Sequence, residues 1–238
     1  MDTIINILAL LGSLGLFLFG MKIMSEGLEK FAGERLRSIL AWMTKNRFMG
    51  VLTGVTLTAL IQSSSATTVM VVSFVNAGLM TLSEAIGVIM GANIGTTVTA
   101  WIITAVGFKV DIAAFAIPLL AVGMPLIFSD NGNRKNIGEF IFGFSLLFLG
   151  LEYLKVNAEG MHVDTIVSNL VTYIPCDSFL GTVLFVILGA IITMVVQSSS
   201  AAMAITLMLL AMNIPGFGFV QAAALAMGQN IGTTITAF

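Results

Sequence analysis

The chain has 238 residues, 58% of them hydrophobic and only 9% charged, with a mean hydropathy of +1.04 and a formal net charge of −2. Soluble domains carry roughly a quarter charged residues, so the composition excludes an ordinary soluble protein and offers no basic surplus for nucleic acid. A single cysteine, Cys176, excludes an intramolecular disulfide framework and any cysteine-rich metal centre.

Ile4 to Met24 is an apolar stretch that can cross a ~30 Å hydrocarbon core at ~1.5 Å per residue. No basic residue precedes it and no small-residue cleavage site follows, so a removable signal peptide is not expected. Glu26 to Arg47 mixes Lys30, Arg35, Arg37, Lys45 and Arg47 with Phe31, Leu36, Ile39, Leu40 and Trp42. That pattern suits an interfacial amphipathic helix, with a charged connecting loop as the alternative. Phe48 to Leu79 is apolar apart from Gln62-Ser63-Ser64-Ser65 and scattered threonines. As one continuous helix its length would be roughly 48 Å. It therefore reads as a steeply tilted helix or as a re-entrant hairpin with the serines at its tip. Non-helical backbone at that depth must be buried in protein or line a wet cavity.

Thr81-Leu82-Ser83-Glu84 is a capping-box pattern opening a helix that passes Gly87, Gly91 and Gly95 towards Ala105. An interruption is expected near Asn93. Ile112 to Phe128, with Pro118 and Pro125, is a further span, Ser129 to Asn136 a polar turn carrying Arg134 and Lys135, and Ile137 to Leu154 the next span. Lys155 to Ser178 is a polar connection holding Glu159, His162, Asp164 and Asp177. Phe179 to Met212 repeats the long segment around Gln197, Pro215-Gly216 interrupts the chain, and Phe217 to Phe238 forms a second broken span.

The two halves contain the same polar devices. Gln62-Ser63-Ser64-Ser65-Ala66 returns 135 residues later as Gln197-Ser198-Ser199-Ser200-Ala201. Gly91-Ala92-Asn93-Ile94-Gly95-Thr96-Thr97 returns 137 residues later as Gly228-Gln229-Asn230-Ile231-Gly232-Thr233-Thr234, with Gln221 standing where Glu84 stood. Leu16 to Gly20 weakly matches Leu146 to Gly150, 130 residues on. The chain therefore reads as two repeats, 1–136 and 137–238, the second lacking a counterpart of the span at 112–128.

If both long segments are hairpins, each full repeat crosses three times and the copies are inverted. Lys22, Lys30, Arg35, Arg37, Lys45, Arg47, Arg134 and Lys135 then share one side, the cytoplasmic one, and Lys109 and Lys155 the other. Full crossings would reduce that bias to six against four, so the charges favour hairpins.

Neither motif contains Lys, Arg or His, so an anion held there must rely on the N-termini of half-helices and on serine hydroxyls. Gln and Asn side-chain oxygens, Thr hydroxyls and unwound carbonyls suit a hard cation such as sodium, which would itself add positive charge. Single GxxxG patterns also serve helix packing, and serines can bond back to their own helix. Paired recurrence in two hydrophobic halves favours a bound solute. His162 reads as a loop residue, Glu84 as a helix cap, Glu139 and Glu152 as span-end residues, Lys22 as snorkelling, and the methionines and phenylalanines as packing or lipid-facing residues.

As a doubled set, Gln62-Ser63-Ser64-Ser65-Ala66-Thr67-Thr68 and Gly91-Ala92-Asn93-Ile94-Gly95-Thr96-Thr97 with their second copies resemble the type II sodium/phosphate cotransporter family, including its bacterial members. The resemblance implies an all-α membrane protein, an inverted-repeat transporter core with two re-entrant helical hairpins and two broken transmembrane helices. It further implies a multi-pass protein of the bacterial plasma (inner) membrane that is not an enzyme and imports inorganic phosphate with sodium, without an organic cofactor. Its partners would be phosphate, sodium and membrane lipid but not nucleic acid, with homo-oligomerisation left open. By position, Ser63, Ser64, Ser65, Ser198, Ser199, Ser200, Asn93 and Asn230 would bind phosphate. Gln62, Thr96, Thr97, Gln197, Thr233 and Thr234 would bind sodium. Relative to that family, the last span of the second repeat and the soluble regulatory tail of many bacterial members are missing. Ala202-Met203 stands where the first copy has Thr67-Thr68, so the first copy is expected to carry more ligand contacts. The alternatives are a sodium-coupled carrier of another small anion such as a carboxylate, a passive channel, a structural scaffold, and an intramembrane serine hydrolase, which would need a general base beside its nucleophile.

Overall fold

The computed structural model describes residues 2–40, 46–107, 112–174 and 178–235, and all regular structure among them is helical. The order is α1 (Asp2–Leu40), α2 (Arg47–Ile61), α3 (Ser64–Asn76), α4 (Leu82–Ile102), α5 (Ile112–Ile127), α6 (Gly132–Gly160), α7 (Val163–Thr172), α8 (Phe179–Val196), α9 (Ser199–Ala211) and α10 (Phe219–Ile235), with a π-helical turn, Ile103–Gly107, after α4. Among the described residues, four segments are long and apolar enough to cross a membrane: Ile4–Phe31, Leu82–Ala105, Gly132–Gly160 and Phe179–Val196.

The first span and the start of the expected interfacial segment form one helix, because nothing between Met24 and Leu40 stops it: there is no proline and no capping residue followed by a new apolar register. Residues 41–45 of that segment, with Lys109 and Cys176, lie outside the described residues.

Both long segments are broken at the expected place. α2 stops at Gln62 and α3 begins two residues later; α8 stops at Gln197 and α9 begins two residues later. The direction of α3 follows from how tightly α2 lies on α4. A Cβ added to Gly91 would come 2.0 Å from the Val51 carbonyl oxygen, and one on Gly54 2.0 Å from that of Val88. One on Gly87 would meet the Arg47 oxygen at 3.1 Å, and one on Gly95 the Cβ of Thr58 at 2.8 Å. The contacting residues advance together, so α2 and α4 are parallel and start at one level. The 13 residues of α3 return the chain to that level. The second half repeats the contact with the sequence offsets of the motifs: Gly189 meets the Leu225 oxygen at 2.1 Å, Gly228 the Val186 oxygen at 1.9 Å, and Gly232 the Thr193 Cβ at 2.8 Å.

These glycines also correct an expectation. α4 and α10 run unbroken through Asn93 and Asn230, so neither helix is interrupted there. Gly91, Gly95, Gly228 and Gly232 are present because any side chain would strike the backbone or Cβ of the neighbouring helix, and nothing in their own backbone requires a break. The irregularity in the first copy comes later, in the π turn after Ile102.

α1 and α6 are antiparallel and pack through glycines as well. Gly20 lies against the Leu147 nitrogen (2.3 Å from an added Cβ), Gly143 against that of Met24 (2.2 Å) and Gly150 against that of Phe17 (2.4 Å). The first and third contacts are one contact with the partners exchanged: Gly20 and Gly150 are counterparts, and so are Phe17 and Leu147. Lys30 Nζ reaches Glu139 Oε2 at 2.8 Å across the same pair.

Two connections are shorter than expected. Asn131 caps α6, its Oδ1 accepting from the amides of Asn133 (3.1 Å) and Arg134 (3.4 Å), so Arg134 and Lys135 sit in the first helical turn instead of in a loop. The polar stretch after Lys155 is largely helical: α6 continues to Gly160, and α7 buries Val171 against Phe185, Ile214 and Phe217.

We expect Gly91→Val to lower stability by about 1–3 kcal/mol, the usual cost of overpacking a tight contact, while Gly12→Ala, with no atom within 4 Å of the added Cβ, lowers it not at all and raises it by up to about 1 kcal/mol through the better helix propensity of alanine. Thermal unfolding in detergent, followed by loss of the monodisperse peak, measures both.

Candidate solute and ion site

Each break is built by three successive residues. Gln62 and Gln197 take left-handed backbone conformations (φ 56° and 58°), which ends the preceding helix, and their amides bond back to the Thr58 and Thr193 carbonyls at 2.7 and 2.8 Å. Few non-glycine residues tolerate that conformation. Here the side chain compensates: Gln62 Nε2 donates to the Ala59 carbonyl at 2.6 Å, and Gln197 donates likewise to that of Met194. Ser63 and Ser198 are extended and cap the next helix, each Oγ accepting from the amide three residues on, Ala66 at 3.2 Å and Ala201 at 3.3 Å. Helices α3 and α9 then open with Ser64 and Ser199.

Those two serines meet. Ser64 Oγ and Ser199 Oγ are 2.8 Å apart and both are buried, so the N-termini of two helices from opposite halves abut through a pair of counterpart hydroxyls. Ser200 is buried beside them, while Ser63, Ser65 and Ser198 are half-buried. Each N-terminus carries roughly half a positive charge in its unpaired amides.

The surrounding threonines and amides divide into two sets. Thr99 Oγ1 donates to Gln62 Oε1 at 2.5 Å and anchors the first break to α4; Ser25 Oγ on α1 donates to the Ile61 carbonyl. Thr58 Oγ1 bonds Thr67 Oγ1 at 3.1 Å between α2 and α3. Thr96 and Thr233 are buried on the inner faces of α4 and α10, with Thr96 bonded to the Ala92 carbonyl. Asn93 and Asn230 are half-buried. Thr97 and Thr234 are exposed, and their hydroxyls bond to the carbonyls of Ile94 and Ile231, each at 2.7 Å. Thr97 shares its stripe with Met90, Ile94 and Trp101, the apolar exposed face of α4. The structure therefore groups the serines and Gln62 at the breaks, buries Thr96 and Thr233 on α4 and α10, and leaves Thr97 and Thr234 exposed. Gln197, unlike Gln62, is exposed.

Sequence reading missed Thr99, Thr58 and, in the second half, Thr193, Thr206 and Gln229. Thr99 was discoverable, since it shares the helical face of Ala92 and Thr96. His162 is exposed at the start of α7, and Glu84 completes its capping box with Thr81, as expected.

The sequence model of the family described as Na+/Pi-cotransporter matches residues 16–156 and 177–238. The chain belongs to the Na+/Pi-cotransporter family. It is 30% identical over 240 residues to the Escherichia coli protein named "Putative inorganic phosphate export protein YjbB", a match covering 98% of this chain and 41% of that one. It is 29% identical over 221 residues to "Uncharacterized protein YqeW" of Bacillus subtilis, covering 93% of this chain and 68% of the relative. It is 37% identical over 100 residues to the human "Sodium-dependent phosphate transport protein 2B", covering 41% of this chain and 14% of that protein. The chain thus spans about two fifths of the length of its YjbB relatives. No solved structure matches it. Membership of the Na+/Pi-cotransporter family and four membrane-length apolar segments make it a multi-pass integral membrane protein.

Replacing either glutamine by alanine imposes the same left-handed backbone penalty, so the difference between Gln62→Ala and Gln197→Ala isolates the side-chain contacts. We expect Gln62→Ala to be worse by about 1–3 kcal/mol, because it strands the buried Thr99 hydroxyl. Equilibrium unfolding in mixed micelles reads the difference, and equal losses would remove the Gln62–Thr99 bond from the account.

Proposed function

We propose that the chain is the transmembrane core of a sodium-coupled phosphate symporter of a bacterial plasma membrane, with the anion held between the N-termini of α3 and α9. The observation that carries this reading is the meeting of Ser64 and Ser199 at 2.8 Å, where two positive helix ends face one another with no basic side chain on α3 or α9. Two like partial charges held together in apolar surroundings are stabilised by an anion placed between them. Serine hydroxyls at 63–65 and 198–200 supply short donors to phosphate oxygens, with Asn93 and Asn230 completing the shell. At 2.8 Å nothing fits between the two serines, so binding parts them, which makes the anion a wedge that changes the relation of the halves.

Inverted-repeat topology is supported by the antiparallel pairing of α1 with α6, since counterpart helices that span in opposite directions reverse everything attached to them. Re-entrant hairpins are supported by the return of α3 and α9 to the level at which α2 and α8 began. Lys30, Glu139, Arg134 and Lys135 gather at one end of α1 and α6, in keeping with a cytoplasmic surface there. Sodium occupies the oxygen-rich surroundings of the breaks, drawing on Gln62, Thr96, Gln197 and Thr233, and Thr97 and Thr234 act only if their helices rotate. Coupling arises because empty and fully loaded carriers interconvert more readily than partly loaded ones.

Symport is reversible, so the direction of net flux follows the gradients. One relative's name specifies export and another sodium dependence, and the two fit one mechanism run under different gradients. A carrier of another small anion, such as a carboxylate, shares the geometry and is separated by competition. A hydrolase would need a general base beside its nucleophile, and the partner that Ser64 Oγ has is Ser199 Oγ, a hydroxyl and not a base.

Radiolabelled phosphate uptake into proteoliposomes, under an inward sodium gradient and an equal potassium gradient, tests the proposal. Accumulation with sodium alone is expected, reversing to efflux when the gradient is reversed. Ser64→Ala and Ser199→Ala should each raise the half-saturating phosphate concentration by about tenfold, the equivalent of about one lost hydrogen bond to a charged group. Unchanged uptake in both variants would take the serines out of the site.

A further inference from the structure

An open cleft of about 270 Å³ lies between the first turns of α2 and α4, lined by Arg47 and Val51 of α2 and by Ser83, Ile86, Gly87 and Met90 of α4. Buried Gly87 lets the two helices close at its back, where an added Cβ would come 3.1 Å from the Arg47 carbonyl oxygen. The lining is graded. A guanidinium and a hydroxyl stand in the two first turns, Val51 lies one turn further along α2, and Ile86 and Met90 lie one and two turns further along α4. Ile86 and Met90 are more than half exposed, and their apolar stripe continues past the cleft through Ile94 to Trp101.

Arg47 is the one cation lining the cleft, and among the described residues no carboxylate lies within 4 Å of it. It occupies the first turn of α2, where no acidic residue offsets it and where the helix dipole disfavours a cation. An anion beside it relieves both conditions. Glu84, next in sequence to Ser83, is already committed: its Oε2 accepts from the Thr81 amide at 2.8 Å and from the Thr81 hydroxyl at 2.6 Å. Exposed Ser83 adds a hydroxyl donor from the α4 wall.

The second half repeats the parallel helix pair without this chemistry. The positions matching Arg47, Val51, Ser83, Ile86, Gly87 and Met90 are Thr182, Val186, Val220, Ala223, Ala224 and Met227, none of them charged. Packing of the two helices therefore does not require the cation. What Arg47 serves belongs to one end of the molecule.

We propose that the cleft between α2 and α4 binds an anionic phospholipid of the cytoplasmic leaflet, with its phosphodiester on Arg47 and Ser83 and an acyl chain along Val51, Ile86 and Met90. Basic pockets between membrane helices on the cytoplasmic side recognise acidic headgroups in this way. Only the choice of leaflet rests on the topology proposed above. A further helix on this face would have to bring its own carboxylate to Arg47, and inorganic phosphate would leave the apolar groove uncovered. One amphiphile meets both demands. Bound there, it bridges α2 and α4 at the level where both begin.

The test is thermal unfolding of the full chain in a neutral detergent, titrated with phosphatidylglycerol, with phosphatidylcholine and with inorganic phosphate. Phosphatidylglycerol should raise the melting temperature and phosphatidylcholine should not. Arg47→Gln should raise the half-saturating phosphatidylglycerol concentration about tenfold, and Ser83→Glu, which sets a like charge at the mouth, at least as much. Both positions are exposed, so both variants should melt as wild type does without lipid. Arg134→Gln, which removes another exposed cation from α6, should shift the titration by less than about twofold. Equal responses to the two lipids, or an Arg134→Gln effect as large as that of Arg47→Gln, would mean general surface charge and overturn the proposal. An Arg47-dependent response to inorganic phosphate alone would overturn it in favour of a free anion. Dimers that form without lipid and are lost in Arg47→Gln would overturn it in favour of an interface between copies. Neither sodium nor transport enters the readout, so failure here leaves the symporter reading standing, and failure of that reading leaves this site intact.

Discussion

A helix broken within a long apolar segment leaves unpaired carbonyls at one stump and unpaired amides at the other, and these must be met by protein groups or by a wet cavity. The rest of this structure is arranged around that constraint at Gln62 and Gln197. At the first break the carbonyls of Thr58, Ala59 and Ile61 are taken by the Gln62 amide, the Gln62 side chain and Ser25 in turn. On the other stump Ser63 takes one amide of α3 for itself. The first hydroxyl of α3, that of Ser64, then meets its counterpart Ser199 at 2.8 Å.

Small residues make this arrangement compact. Because Gly54, Gly91, Gly189 and Gly228 allow backbone-to-backbone contact, α2 lies flush on α4 and α8 on α10, and each returning helix reaches the centre of the molecule instead of being held off by side chains. A thicker interface would push α3 and α9 apart and separate Ser64 from Ser199. The glycines of α1 and α6 act in the same way, bringing the two halves together across exchanged contacts. Packing and site are therefore coupled: the residues that fix the helix spacing also set the gap between the two N-termini.

The doubled motifs made the breaks legible, since only a left-handed residue followed by an extended cap explains why Gln-Ser-Ser stops one helix and starts another twice. The helix content and the capping box at Thr81 were equally plain. The break expected at Asn93 failed because a glycine every fourth residue has two physical meanings, a weak backbone or a close neighbour. Sequence alone does not reveal that Val51 lies 2.0 Å from where a Gly91 side chain would begin. Thr97 and Thr234 were drawn into the site by adjacency in sequence, whereas a helix turns each residue by about 100° and carries them to the outer face. Arg134 and Lys135 looked like loop residues because charge marked them, while Asn131, a few residues earlier, was the actual start of the helix. Thr193 and Gln229 carried no signal until their counterparts were compared in space, for a missing hydroxyl at 202 matters only when its partner across the interface is known.

Exchange symmetry and its violations carry different information. Two equal halves related by an exact two-fold give two conformations of equal energy, each the rotated image of the other, and nothing then decides between them. Thr67 against Ala202, Val71 against Thr206 and Ala92 against Gln229 remove that degeneracy at the breaks themselves. In the first half Thr58 closes on Thr67 and Thr99 on Gln62, so these side chains gain less from a ligand. The second half leaves oxygens unpaired and so gains more from one. A ligand that favours the second half acts on one conformation more than on the other, which is the condition for any ligand to shift an equilibrium at all. On this argument the first break is the fixed reference of the molecule, and the second is the part whose energy depends on what is bound.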